Sequence, residues 1–223
     1  MSGLRSFQAL VWKDVRTELR GGRFVVSSLA FGVLLILVVG MALGGAGQLP
    51  VDWSAGLLWL NLFFSSAISI GRHDDKDREM AGHWGVLLAP MDRSVIFYAK
   101  WLTTFLFVFV AEIGMIGAFF IILNQPAPKH PLSFVFVMLG GTMGLTGLGT
   151  FLATLAATSS MRDILVPLLL FPLAIPMFLA LIQLTVFAFG GISHTGVWIQ
   201  VLLGYLTILF ILPWLLYEPL MEV

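Results

Sequence analysis

One feature limits this chain more than any other: it is mostly runs of about twenty apolar residues that carry no charge. Residues 24–43, FVVSSLAFGVLLILVVGMAL, hold neither an acid nor a base. A helix needs roughly 20 such residues to cross the hydrocarbon core of a bilayer. Similar runs cover 53–70, 97–123, 132–157, 164–189 and 197–216, of which only 97–123 carries charge, at Lys100 and Glu112. They are separated by GGAGQLP, a charged stretch, NQPAPKHP, SSMRD and GGISHTG. Glycine and proline at these breaks interrupt helices. The second run is short, and tryptophans near its start suit a membrane–water interface. The expected fold is therefore all-α and integral to the membrane, a single domain over 1–223 with six transmembrane helices. Hydrophobic residues make up 59% and charged residues 11%, against roughly 25% charged in a soluble domain. So few charges cannot cover a water-soluble exterior.

The basic residues orient the six runs. Arg5, Lys13, Arg16, Arg20 and Arg23 precede the first, while Arg72, Lys76, Arg78, Arg93 and Lys100 flank the break after the second. Arg162 follows the fourth, which leaves only Lys129 of the twelve for the opposite side. The positive-inside rule then puts both termini in the cytoplasm. Residues 1–23 mix basic and acidic groups and lack the pattern of a cleaved signal peptide.

Two further segments lie on the inner side. Leu4, Phe7, Val11, Val15 and Leu19 recur at helical spacing, which predicts an amphipathic helix over 4–20 lying along the cytoplasmic leaflet. Between the second and third spans, the dense charge of 72–79 is followed by HWGVLLAP, an apolar piece that suits a short helix with Trp84, Leu87 and Leu88 toward the membrane. Two discrete parts exceed what topology alone requires, so a docking element for a cytosolic partner is expected here. A loop that merely fixes orientation is the simpler alternative. His73, Asp74, Asp75, Asp77 and His83 offer ligand atoms, but Arg72, Lys76 and Arg78 neutralise them and no metal motif is formed.

Inside the bilayer the polar residues are few. Glu112 falls near the middle of the third span, where an ionised carboxylate is costly unless paired or wetted. Two readings stand: a lining or coupling group, or a hydrogen bond between helices to Asn61, Gln183 or a threonine of the fourth span. That span contains GGTMGLTGLGT, with Gly140 and Gly144 four apart and threonines at 142, 146, 150, 154 and 158. Such spacing permits close helix approach. Pro167, Pro172 and Pro176 are expected to bend or open the fifth span.

The chemistry of an enzyme is missing. There is no cysteine, no GxxxxGK[ST] and no GxSxG or HExxH, so neither thiol chemistry nor P-loop binding of ATP is expected. Nothing in the sequence suggests nucleic-acid binding. The chain reads as a non-catalytic membrane subunit.

Three stretches carry a resemblance: WKDVRTELR at 12–20, DREMAGHWGVLLAPMDRSVIFYAK at 77–100 and GLTGLGTFLATLAATSSMRDILVPLLLFPLAIP at 144–176. In these the chain resembles the CcmB-type permease subunit of the bacterial haem-exporter ABC complex in cytochrome c maturation. The resemblance implies an ABC-2-type exporter permease in the bacterial inner membrane. It implies a cytosolic ABC ATPase that carries the ATP, a haem-handling membrane protein, a small membrane subunit, a periplasmic haem chaperone and a second copy of the chain. Haem is the cargo of such a complex, and this subunit is expected to hold no cofactor directly. The ATPase-contacting element corresponds to the segment from Glu79 to Arg93, with Gly82, Leu87 and Pro90 on the shared pattern. A different ABC-2 permease, moving a lipid, glycan or drug, and a passive scaffold are the alternatives. His130 and His194 are expected on the outer side as ordinary surface histidines.

Overall fold

A computed structural model describes residues 3–21, 23–44, 48–79, 93–155 and 162–220, and every regular element among them is an α-helix. They are α1 (Gly3–Gly21), α2 (Arg23–Ala42), α3 (Val51–Glu79), α4 (Arg93–Ile122), α5 (Pro131–Leu155), α6 (Arg162–Ala188) and α7 (Thr195–Leu220). The six after α1 coincide with the six apolar runs. Four stretches are long and apolar enough to cross a membrane among the described residues: Phe24–Ala42, Ser94–Ile122, Pro131–Leu155 and Leu168–Ala188. The protein is a multi-pass, all-α membrane protein.

α3 runs further than its apolar stretch, through the charged stretch to Glu79. Residues 72–79 contain no glycine or proline, so nothing in the stretch breaks the helix that enters it. The sequence reading that set this stretch in a loop is therefore corrected: the first half of the inner segment is a helical extension. The short helix expected around Trp84 lies outside the described residues.

Neighbouring helices fix their direction through specific contacts. Phe24 meets Phe107 with ring centroids 5.9 Å apart. Further along, Leu29 lies over Gly114, Met115 over Gly32 and Ile122 beside Gly40. α2 and α4 thus run parallel, and fourteen residues of α4, 93–106, precede the level at which α2 begins. At about 1.5 Å per residue that overhang is about 20 Å. α1 packs along α4 far more than along α2. Its residues Phe7, Val11 and Val15 are half-buried, while Leu19 is 78% exposed. The stripe that periodicity assigned to lipid is thus partly turned onto protein at Phe7, Val11 and Val15, while Leu19 stays exposed.

α5 is the central element, buried along most of its length. Its glycines make this possible by letting large side chains reach the backbone. A Cβ on Gly141 would overlap the Trp59 ring, one on Gly144 would overlap Met177, and one on Gly147 would stand 2.8 Å from Trp101. The small-residue pattern is a packing device within the chain. α6 stays helical through Pro167, Pro172 and Pro176, and the last two face outward. Between the last two prolines, the Tyr205 hydroxyl of α7 donates to the Leu173 carbonyl at 2.9 Å.

Candidate functional site

Polar side chains cross the bundle from α2 to α6 at the level of the α5 glycines. On α2 and α3, Ser28 Oγ and Ser65 Oγ lie 2.9 Å apart, and Ser65 also donates to the Ser28 carbonyl at 2.7 Å. One turn earlier on α3, Asn61 Nδ2 donates to the thioether of Met115 on α4 at 3.9 Å. Three residues before Met115, Glu112 is wholly buried and meets the Thr142 hydroxyl of α5. Trp59 Nε1 donates across to Thr185 Oγ1 of α6 at 2.8 Å. Trp101 Nε1 is shared between the Met143 carbonyl at 3.1 Å and Thr146 Oγ1 at 3.3 Å. Each bond joins different helices, where buried polar groups act as specific ties. Two atoms of this seam, Asn61 Oδ1 and Glu112 Oε1, have no partner among the described residues.

Of the three partners expected for Glu112, the structure selects the threonine. Asn61 is taken by Met115, and Gln183 belongs elsewhere: its Oε1 accepts from Ser193 Oγ at 3.2 Å beyond the end of α6. Glu112, Asn61 and Gln183 therefore do not form one cluster. Glu79 ends α3 and Arg93 begins α4, so the two bracket the expected coupling segment. Gly82, Leu87 and Pro90 lie outside the described residues. His130, in the loop expected outside, stacks on Phe187 with ring centroids 4.8 Å apart. Its backbone N–H donates to the Ala188 carbonyl at 2.9 Å. No group of three or more His, Cys, Asp or Glu stands ready for a metal among the described residues.

Sequence reading missed Glu18. Its carboxylate accepts from the Phe24 backbone N–H at 2.6 Å, at the first turn of α2, and is 7% exposed. A carboxylate suits the positive end of a helix. The available signal was its place seven residues after Val11, on the apolar face of α1. The Ser28–Ser65 pair left no such trace, since serine is common in membrane helices.

The helices that carry this seam all fall inside one match: the chain matches the CcmB protein family over residues 5–214. It belongs to the CcmB family. Three curated relatives are each named "Heme exporter protein B". That of Rhodobacter capsulatus is 30% identical over 76% of this chain and 77% of its own length. That of Pseudomonas aeruginosa is 29% identical over 76% of each chain. That of Paracoccus denitrificans is 27% identical over 76% of this chain and 77% of its own length. The CcmB match begins within α1 and ends within α7, so it takes in the N-terminal helix, the charged extension of α3 and the overhang of α4.

Proposed function

We propose that the chain is the transmembrane subunit of an ATP-driven complex that exports haem, or releases the haem-loaded periplasmic chaperone, for c-type cytochrome maturation. Six spans hold it in the bacterial inner membrane with both termini cytoplasmic. A cytosolic ABC ATPase docks on residues 79–93, and a second copy completes the permease. α1 lies at the inner interface with Arg5, Trp12, Lys13 and Arg16 exposed toward headgroups and partners. The observation that carries this reading is the CcmB match across nearly the whole chain, joined to a concentration of charge where α3 and α4 approach the inner side. Closure of the ATPases pushes the segment between Glu79 and Arg93, and α3 and α4 transmit that push into the bundle.

Charge reversal at the two brackets tests it. Glu79→Lys and Arg93→Glu should leave membrane insertion intact, weaken co-purification of the ATPase and lower the yield of holo-cytochrome c. Unchanged ATPase association together with a normal cytochrome yield sinks the coupling role. Co-purification from detergent, with identification of bound proteins and an absorbance check for haem, separates this complex from an ABC-2 exporter of other cargo.

A further inference from the structure

Glu112 is 0% exposed, and its Oε1 has no hydrogen-bond partner among the described residues. Its Oε2 meets Thr142 Oγ1, which also lies 2.8 Å from the Met138 carbonyl one turn back on α5. A hydroxyl carries one proton, so Thr142 can donate to only one of these two oxygens. If it donates to Glu112, an ionised carboxylate keeps an oxygen without a protein partner in a site closed to bulk solvent. No cation compensates among the described residues. Phe24–Ala42, Pro131–Leu155, Leu168–Ala188 and Thr195–Ile211 hold no lysine, arginine or histidine, and residues 51–67 hold only Asp52, toward the other end of α3. Lys100 on the same helix is twelve residues away, about 18 Å along the axis. An isolated buried charge of this kind is among the least favourable arrangements in a protein interior.

From this hydrogen-bond count we infer that Glu112 and Thr142 form a proton-binding site in which Glu112 is held as the neutral carboxylic acid. Glu112 donates from Oε2 to Thr142 Oγ1, and Thr142 donates to the Met138 carbonyl. Every proton then has an acceptor, and the unpartnered Oε1 is a carbonyl oxygen without charge. The ligand of this site is a single proton, which makes the α4–α5 contact an electrically neutral clamp. The inference is independent of which cargo the complex moves.

Infrared spectroscopy of the full-length protein at neutral pH, in lipid nanodiscs and with carbon-13 glutamate, tests it. A protonated-carboxyl C=O band that shifts with the label is expected, and Glu112→Gln should remove it. Thr142→Val should move the band to higher frequency by removing its hydrogen-bond acceptor. Glu112→Gln should lose less thermal stability than Glu112→Ala, because one amide N–H can replace the acid O–H while the second is left unpaired. The absence of such a band in the wild type overturns the inference. So does a band that survives in Glu112→Gln, which would assign it to Glu18 or another glutamate. A band that appears only after sodium and potassium are removed overturns it as well, in favour of a bound cation. Should Glu112→Gln fail to fold, the labelled wild-type band and its displacement in Thr142→Val decide the matter.

Discussion

At the scale of single residues, the glycines of α5 separate packing from mere flexibility. Gly141 stands under the Trp59 ring with Leu181 Cδ2 3.0 Å from where a Cβ would be, and Trp59 is itself tied to Thr185. Gly141→Ala should destabilise the solubilised protein by about 1–3 kcal/mol, the range for overpacking a core. Gly32→Ala meets the flexible end of Met115 and should cost less. Gly204, with nothing near it, is a control: Gly204→Ala should be neutral or stabilise by up to about 1 kcal/mol through helix propensity. Thermal unfolding of the three variants checks the order. The GxxxG spacing was legible in the sequence, but its partners were not. Which side chain fills each gap depends on the antiparallel register of α4 and α5 and on the crossing of α3, and neither is encoded locally. For the same reason the sequence could name three partners for Glu112 without choosing among them.

Among the elements, the corner between α1 and α2 rests on one carboxylate. Glu18 accepts from the Phe24 N–H while Val15 packs by Phe24 and Phe107. Glu18→Ala should weaken that corner by about 1 kcal/mol, as loss of a helix cap does. Faster hydrogen exchange along α1, with α5 unchanged, is the expected reading; equal loosening of α5 would show that the carboxylate serves the whole bundle instead. The seven helices among the described residues were visible beforehand as helical segments, because long apolar runs and a period near four residues are strong local signals. The end of α3 was not: a run of charge reads as a loop by polarity, yet nothing in it stops a helix. The side of α1 that meets protein was also hidden, since an apolar stripe looks the same whether lipid or a neighbouring helix covers it.

For the whole molecule, the distribution of basic residues makes a prediction about sidedness. The chain has no cysteine, so single cysteines can be introduced without background labelling. A cysteine at Gln8 should react with a membrane-impermeant thiol reagent only after the cell is opened. One at Ala127, in the loop between α4 and α5, should react from outside. The opposite pattern would invert the topology and leave the 79–93 segment out of reach of any cytosolic ATPase. Ala127 and Gln8 are both exposed, so the comparison reports the membrane rather than burial.

The unequal starts of α2 and α4 have a mechanical corollary. Because α4 begins about four turns before its parallel neighbour, that part of it lacks α2 as a flank and is held instead by α1, by α5 through Trp101 and by α7 through Tyr98. Any load applied near Arg93 would therefore meet α5 and α7 before it reaches the level of Phe24 and Phe107. Trp101→Ala should accordingly loosen the start of α4 against α5 while sparing the contact of Phe24 with Phe107, a difference that hydrogen exchange along α4 would show.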